Sequence, residues 1–389
     1  MGKPSIVVHE GKTDVRPEEA GMDASRLMEL ERFVAGLVER GRLQGAGWLV
    51  ARDGRIVAHR SLGWRSFREG SDELKPDAIR PVYSITKVFT AAAILMLIED
   101  GRLYLQQSVA DWLPPFDTPL HRPINLWHLL THTSGLMPDP GFDLEPFARP
   151  WFASWIRRRR EMDGSRRWTA DDDIRLVLSG PLRDEPGRQW LYSTAGYAIL
   201  AEVVSRASGM PYERFVEERI LKPLGMNRSF FRVPEPLWRE TCVIGDWEEE
   251  WLKRPAESDA LAVAGGNGLF STLEDLWRFG QAMLDGGRFG ETRLLGRRMV
   301  REMVSNQLKD VPGRPWGADI PKIECGLGWS LHPGDLCSPG TFGHEGFGRS
   351  MLFVDPAERL VFVCFTPTPI DWVPEAVFGP RNIVWSALL

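Results

Sequence analysis

The spacing of apolar residues predicts a helix near the start of the chain, followed by a β-hairpin. Apolar side chains recur every three or four positions between residues 23 and 41, which is the period of one helix face. Two short apolar runs follow at residues 46–51 and 56–62, and the Asp53-Gly54 pair between them is typical of a tight turn. We therefore expect one helix and two paired strands in this part of the chain.

Strand-like runs of the same kind return only at the other end of the chain. They cover residues 326–331, 350–354 and 360–365, and residues 355–358 have the composition of a turn. Residues 374–389 would add a closing helix. The strands of one sheet are therefore expected to come from both ends of the chain.

Helical patterns dominate the middle of the chain, roughly residues 84–300, with residues 195–208 and 273–284 as examples. We predict an α/β (α+β) fold in which an antiparallel sheet is flanked by helices and a helical domain is inserted between its strands. The predicted domains are a discontinuous α/β sheet domain at 1–80 and 262–389 and a mainly helical domain at 81–261. The active site would lie at their interface.

Composition narrows the class of protein. The 389 residues are 43% hydrophobic and 26% charged, which is typical of a globular chain with a large core. The net charge of -5 gives no electrostatic footprint for nucleic acid, so we expect no such partner. The N-terminus lacks the pattern of a secretory signal and no apolar run reaches about 18 residues, so we expect a cytoplasmic protein without membrane contact. The four cysteines are widely spaced and are expected to be free thiols.

The first candidate for chemistry is the Ser84-Ile85-Thr86-Lys87 tetrad, which opens a helix whose next residues are almost all apolar. Residues three apart share a helix face, so Ser84 and Lys87 would lie side by side. Burial disfavours the ammonium form, which would let Lys87 act as a base toward Ser84. The alternative is that Ser84 caps a helix and Lys87 is a solvated residue of its first turn.

The second candidate is Tyr192, which follows a glycine-containing turn and precedes the predicted helix at 195–208. A tyrosine at that place can direct its hydroxyl into a cleft, and a nearby cationic lysine would favour the phenolate. Tyr192 is therefore a candidate proton shuttle. The alternative is a core tyrosine with a satisfied hydroxyl, which is the expectation for Tyr197.

The third candidate is the glycine-dense segment at residues 341–349, which enters the C-terminal hairpin. Glycines there allow a substrate to approach the backbone closely, and exposed amides on such a strand can stabilise an oxyanion. His344 could form a polar wall of that site. A histidine beside glycines is otherwise a hydrogen-bonded structural residue.

In order and spacing these segments resemble the serine β-lactamase and penicillin-binding-protein-like hydrolases, most of all the class C-type branch that includes the family VIII carboxylesterases. The resemblance covers about residues 16–367. The segments that carry it are residues 17–22, Tyr83-Ser84-Ile85-Thr86-Lys87, residues 128–136, the Tyr192 segment, residues 222–226, residues 265–272 and His344-Glu345-Gly346.

This resemblance implies a function for each candidate. Ser84 would be the acylated nucleophile, Lys87 its activating partner and Tyr192 the general base or acid. The backbone amides of Ser84 and Phe347 would form the oxyanion hole, and His132 would be structural. No metal and no cofactor is implied, in agreement with a sequence that has neither an H-E-x-x-H motif nor clustered Cys and His ligands.

Two departures from the family pattern bear on the substrate. Thr194 stands where many such β-lactamases have asparagine, and His344-Glu345-Gly346 replaces the Lys-Thr-Gly triplet whose lysine helps to bind a substrate carboxylate. We therefore expect a carboxylesterase that cleaves esters of small, apolar or aromatic substrates through an acyl-enzyme on Ser84. The alternative is hydrolysis of amides: β-lactams, D-amino-acid peptides or short ω-amino-acid oligomers. A non-catalytic binding relative is least favoured, because Ser84, Lys87 and Tyr192 are all retained.

Tryptophan is abundant, with 16 copies against 5 tyrosines. Trp155 and Trp247 fall in inserted segments that border the cleft in relatives, and we expect them, with His344 and Gly346, to contact substrate. The alternative is that these tryptophans pack inside the helical region. A homo-oligomer is left open by the sequence.

Overall fold

The computed structural model describes residues 6–139, 168–254, 265–315, 318–331, 336–347, 350–370 and 373–389, with the single residues Glu161, Gly164 and Gly334. Its helices are α1 (Ala24–Glu39), α2 (Thr86–Glu99), α3 (Leu126–Leu130), α4 (Ala170–Val177), α5 (Thr194–Ser208), α6 (Tyr212–Val216), α7 (Asp246–Leu252), α8 (Leu273–Leu284), α9 (Arg297–Met303) and α10 (Pro374–Trp385). Its strands are β1 (Val8–Glu10), β2 (Gly45–Arg52), β3 (Arg55–Gly63), β4 (Arg80–Pro81), β5 (Phe270–Ser271), β6 (Arg288–Phe289), β7 (Thr292–Arg293), β8 (Ser330–Leu331), β9 (Phe342–Gly346), β10 (Ser350–Asp355) and β11 (Leu360–Phe365).

The largest sheet has seven antiparallel strands in the order β1-β3-β2-β11-β10-β9-β8. Strands from the two ends of the chain meet in its middle, where β2 pairs with β11 and Leu49 lies opposite Val363. The pairs β4-β5 and β6-β7 form two small ribbons. The predicted fold class and the origin of the strands from both chain ends are confirmed.

Side chains of the central strands alternate between two apolar layers, as the period of two in a strand requires. Trp48 and Val50 of β2 pack with the layer that contains α1 and α10. Leu49 and Ala51 face the opposite layer, where α8 packs on the sheet and α2 and α5 pack beyond it. The sheet is therefore covered by helices on both faces.

Helix α2 lies inside the second layer. All its residues from Thr86 to Leu97 are buried, so the apolar character on every face that the sequence shows is explained by contact on every side. One apolar cluster joins α2 to the sheet and to the helices around it. The domain boundaries given above stay a prediction.

The predicted strand at 326–331 is largely wrong. Only Ser330 and Leu331 pair with β9, because Gly328 has a left-handed backbone with φ of 84°. A Cβ at Gly328 would lie 2.7 Å from the Cβ of Ala91, so this segment packs tightly against α2 before it reaches the sheet. Strand β1 was not predicted, since three residues give too short an apolar pattern to detect.

Two further expectations concern the cysteines and membrane-spanning helices. None of the four cysteines, which all lie in the described part of the chain, forms a disulfide, and Cys242, Cys325 and Cys364 are buried. Within the part of the chain that the structure describes, no helix combines the length and the apolar character that crossing a membrane requires.

Candidate active site

Ser84 lies in a single helical turn, Tyr83–Ile85, that leads directly into α2. Tyr83, the residue before it, has a left-handed backbone with φ of 47°, which is costly for a bulky side chain. The Tyr83 hydroxyl donates a hydrogen bond to the carboxylate of Glu248, which also accepts two hydrogen bonds from Arg80 at 3.0 and 3.1 Å. This buried network holds the strained residue that presents Ser84.

Lys87 lies one turn further along α2 and its side chain is fully buried. Its Nζ atom is 3.0 Å from Ser84 Oγ, 3.1 Å from Thr194 Oγ1 and 2.9 Å from the carbonyl oxygen of Gly266. Burial lowers the pKa of Lys87 to about 7, and the negative charge of Asp139 opposes that decrease. Lys87 therefore exists partly as a neutral amine at neutral pH, which is the form able to accept a proton.

Tyr192 lies just before α5, and its side chain lies against Ser84 and Lys87. Its hydroxyl is hydrogen-bonded to Ser84, and Lys87 Nζ lies 4.8 Å from the centre of its ring. Burial raises the pKa of Tyr192, and the hydrogen bond with Ser84 only partly offsets this. The phenolate that the sequence argument favoured is therefore disfavoured, and Tyr192 is a neutral phenol that can donate a proton.

The main chain on both sides of Tyr192 is held by His132. The N–H of Leu191 donates to the His132 carbonyl oxygen at 2.7 Å, and the N–H of Ser193 donates to His132 Nδ1 at 3.1 Å. The His132 ring also stacks against Tyr192 with 4.4 Å between ring centres. Burial holds the pKa of His132 well below its usual value, so the ring is neutral and positions Tyr192.

Three further residues belong to the site: Gly266 and Thr194, which the sequence analysis named only as parts of the family pattern, and Asp139, which it missed. A Cβ at Gly266 would lie 2.5 Å from Thr194 Cγ2, so only glycine lets this carbonyl approach Lys87. The Thr194 hydroxyl donates to Asp139 Oδ2 at 2.5 Å, and its N–H donates to Asp139 Oδ1 at 2.9 Å. The paired glycines at 265–266 were the available signal for the first, whereas no local pattern marks Asp139.

Strand β9 borders the site on the side of Tyr192 where His344 lies. His344 is buried, and burial together with the charge of Lys87 lowers its pKa to about 3. Its Nδ1 donates to the carbonyl oxygen of Glu345 at 2.9 Å, which leaves Nε2 as an acceptor. Its ring centre lies 6.4 Å from that of Tyr192. His344 therefore contributes a neutral polar group to the site.

The end of β9 lies against the segment that precedes Ser84. A Cβ at Gly346 would lie 2.3 Å from the carbonyl oxygen of Val82, so the strand can approach this closely only with glycine there. Phe347 follows and its ring centre is 5.8 Å from that of Tyr83. This places the Phe347 main chain beside the turn of Ser84, and the oxyanion hole of these two amides stays a prediction.

Aromatic side chains border the site. The rings of Trp247 and Phe347 lie 6.0 and 5.8 Å from Tyr83 and 6.3 Å from each other. Both outer rings are open to solvent, with 47% of Trp247 and 57% of Phe347 exposed. We call Tyr83, Trp247 and Phe347 the aromatic rim. Trp155 lies outside the described residues.

Other tryptophans of the inserted segments have packing contacts instead. Trp251 lies 4.8 Å from Phe270 between ring centres, and the Trp238 indole N–H donates to the carbonyl oxygen of Val233 at 3.0 Å. Both belong to one apolar cluster with Phe270. The structure therefore divides the tryptophans in a way that composition could not.

The fold and the Ser-Lys-Tyr cluster define a serine hydrolase. The chain belongs to the β-lactamase family, because the sequence model of the family described as "Beta-lactamase" matches residues 30–371. This confirms the resemblance derived from the motifs and the assignment to the serine hydrolases.

Individual relatives are distant and cover nearly the whole chain. A protein of Escherichia coli (strain K12) named "Putative D-alanyl-D-alanine carboxypeptidase" is 23% identical, with 95% of this chain and 88% of the relative aligned. A penicillin-binding protein homologue from Caulobacter crescentus is 21% identical with a TM-score of 0.71, covering 94% and 98%. EstCE1, described as a hydrolase with promiscuous acyltransferase activity, is 20% identical with a TM-score of 0.70 and the same coverage. The two structures show that the fold is shared.

Proposed function

We propose that this protein is a carboxylesterase that cleaves small esters with apolar or aromatic groups through an acyl-enzyme on Ser84. The observation that carries the proposal is the state of His344. This residue occupies the position of the lysine in the Lys-Thr-Gly triplet, and it is buried and neutral. A neutral group there offers no ion pair to a substrate carboxylate, so uncharged esters suit the site better than carboxylate-bearing peptides and β-lactams.

Acylation would begin at the neutral amine of Lys87. As Ser84 Oγ bonds to the ester carbonyl carbon, its proton moves to Lys87 Nζ, 3.0 Å away. The backbone amides of Ser84 and Phe347 would stabilise the oxyanion. When the bond to the alcohol breaks, the leaving oxygen takes the proton of Tyr192, and the Lys87 ammonium returns a proton to the Tyr192 oxygen.

Deacylation would again use Lys87 as the proton acceptor. A water molecule attacks the acyl carbon and gives its proton to Lys87, which is again neutral after the first half of the reaction. The bond to Ser84 Oγ then breaks, and Oγ recovers its proton from the Lys87 ammonium. The sum is one ester and one water converted to one acid and one alcohol.

The aromatic rim supports the preference for apolar groups. Trp247 and Phe347 expose large apolar surfaces next to Tyr83, the neighbour of the nucleophile. Burying apolar area of a substrate against them is favourable by about 25 cal/mol per Å². A substrate with a longer chain or an aromatic ring would therefore bind more tightly than an acetyl ester.

Amide hydrolysis is the second candidate, and the names of the curated relatives favour it. The relative from Escherichia coli carries the name of a carboxypeptidase that acts on a D-alanyl-D-alanine bond. The acyl-enzyme route would be the same for an amide. What distinguishes the two candidates is turnover on matched substrates.

The decisive experiment compares 4-nitrophenyl acetate and butyrate with nitrocefin and a D-alanyl-D-alanine peptide. We expect kcat/KM to be highest for the esters, with butyrate above acetate. Faster turnover of nitrocefin or of the peptide than of every ester would overturn the carboxylesterase proposal.

The nucleophile is tested separately by intact mass after exposure to a phosphonate. We expect one adduct per chain, none in Ser84→Ala, and an unchanged adduct in Ser179→Ala, which replaces an exposed serine at the end of α4. Ser84→Ala should lower kcat by about 10⁴-fold or more. An adduct that persists in Ser84→Ala would exclude this residue as the nucleophile.

A further inference from the structure

Asp139 contacts both ends of the short segment that carries Tyr192. Its backbone N–H donates to the Tyr192 carbonyl oxygen at 2.8 Å, and its two carboxylate oxygens accept from the N–H and the hydroxyl of Thr194 at 2.9 and 2.5 Å. Burial raises the pKa of the Asp139 carboxyl, and the charge of Lys87 and the two hydrogen bonds from Thr194 oppose that increase and favour the carboxylate. Asp139 therefore holds the segment 192–194 through three hydrogen bonds.

These bonds fix the direction of the Thr194 hydroxyl. A hydroxyl has one proton to donate, and that proton points to Asp139. The 3.1 Å contact between Thr194 Oγ1 and Lys87 Nζ must then be one in which Lys87 donates. With the Asp139 carboxylate in place, Thr194 cannot donate to the amine.

The second contact of Lys87 is fixed in the same way. The Gly266 carbonyl oxygen, 2.9 Å from Nζ, can only accept. A neutral amine has two N–H groups and one lone pair, so these two acceptors use both N–H groups. The third direction is occupied by Ser84 Oγ at 3.0 Å, and the lone pair therefore faces the hydroxyl that must lose its proton.

We propose that Asp139 is a positioning residue which, through the Thr194 hydroxyl, directs the lone pair of Lys87 at Ser84. The proposal rests on the proposed function, since it requires Ser84 to be the nucleophile. Asp139 touches neither Ser84 nor substrate in this scheme and acts only through Thr194 and through its charge.

The charge of Asp139 gives a signature that a purely structural residue would lack. The groups that act on the charge of Lys87 are Asp139, which favours the ammonium, and His132 and His344, both held neutral by burial. The phenols of Tyr192 and Tyr197 also pack against the amine, and burial keeps both protonated. Removing the carboxylate charge therefore lowers the pKa of Lys87.

The test is Asp139→Asn. The amide oxygen can still accept from the Thr194 N–H, but the NH₂ group then faces Thr194 Oγ1 and donates to it. The Thr194 hydroxyl then loses its acceptor at residue 139 and can turn its proton toward the Lys87 lone pair, in competition with Ser84. We expect the rate of Ser84 labelling by a phosphonate at pH 8 to fall by about 10- to 100-fold, the range of a misdirected general base. The acid limb of the labelling rate should move to lower pH.

Matched variants separate this role from a loss of fold or of charge. Thr194→Val removes the hydroxyl and should lower the labelling rate of Ser84 as much as Asp139→Asn does. The double variant with both substitutions should have a labelling rate only slightly below that of either single variant. Thr194→Ser keeps the hydroxyl, so its labelling rate should fall less than that of Thr194→Val. Asp171→Asn removes a carboxylate that pairs with Arg206 on the far end of α5 and should label like the wild type.

The outcomes distinguish the two proposals. If the wild type forms no phosphonate adduct, the proposed function fails and Asp139 has no reaction to serve. If the wild type is labelled and Asp139→Asn is labelled at the same rate with the same pH limb, the role of Asp139 is wrong. Should Asp139→Asn not fold by circular dichroism, an unchanged labelling rate in Thr194→Val would overturn the proposal in its place.

Discussion

Among single residues, the buried amine of Lys87 should determine the pH dependence of the proposed reaction. Burial lowers its pKa to about 7, and only the neutral form can accept the Ser84 proton. Burial lowers the pKa of His344 to about 3 and holds that of His132 well below its usual value, and burial raises the pKa of Tyr192 and of Asp139. We expect kcat/KM for 4-nitrophenyl butyrate to fall about tenfold per pH unit below pH 7 and to level off above it.

This dependence is measured between pH 5 and 9, with spontaneous hydrolysis subtracted at each pH. The phosphonate labelling rate should follow the same acid limb, since it needs the same proton transfer but no deacylation. A profile that stays flat down to pH 5 would mean that Lys87 is not the proton acceptor.

The same residues show what the sequence could reveal. The i, i+3 spacing of Ser84 and Lys87 and the apolar run after them were sufficient to predict a buried amine beside a hydroxyl, because both features are local. Gly266 and Asp139 reach Lys87 and Thr194 from segments distant in the chain. Such approaches depend on how loops pack, and no local pattern encodes them.

Helix α7 connects the core to the rim of the site. Glu248 points inward to Arg80, where both side chains have no exposure to solvent, while Trp247 beside it faces outward. Glu248→Ala removes the carboxylate that pairs with the buried Arg80 and accepts from Tyr83, and we expect unfolding in urea to become easier by about 3–5 kcal/mol. Glu249→Ala, on the same helix, removes exposed pairs with Arg68 and Lys253 and should cost about 0–1 kcal/mol. Equal losses in the two variants would contradict the importance of the buried pair.

The aromatic rim on the same helix should determine acyl preference. Trp247→Ala removes the apolar surface next to Tyr83 and is expected to lower the ratio of kcat/KM for butyrate over acetate by about 3- to 10-fold, the effect of a methylene or two of lost contact. The acetate value should change little. Trp112→Phe, a substitution of a tryptophan packed against the main apolar cluster, is the control. An unaltered ratio in Trp247→Ala would reject the rim as a substrate contact.

At the level of elements, periodicity predicted α1, α5, α8, β2, β3, β10 and β11 within one or two residues of their ends. Periodicity failed at residues 326–331, where the left-handed Gly328 and its contact with α2 override an apolar pattern. It also could not separate Trp247 from Trp251, because residues four apart share one helix face, and the packing of Trp251 on Phe270 comes from a segment distant in the chain.

The whole molecule depends on pairing between distant parts of the chain. Strand β2, from the first sixty residues, and strand β11, near the C-terminus, are neighbours in the middle of the sheet. The sequence predicted this arrangement, because strand-like runs occur at both ends and helical patterns lie between them. It did not reveal that sheet and helices share one apolar cluster, since the contacts are made across the predicted domain boundaries.

That shared cluster predicts a single unfolding transition. Its members include Leu49 of β2, Phe89 of α2, Tyr197 of α5 and Val363 of β11, so neither predicted domain can unfold without exposing apolar surface of the other. Far-UV circular dichroism, tryptophan fluorescence and the loss of Ser84 labelling should therefore change at the same urea concentration. The Glu249→Ala variant, altered only at the surface, should keep the three midpoints together. If fluorescence or labelling changes at a clearly lower concentration than circular dichroism, the helical region unfolds by itself, and the two regions are independent domains despite the common core.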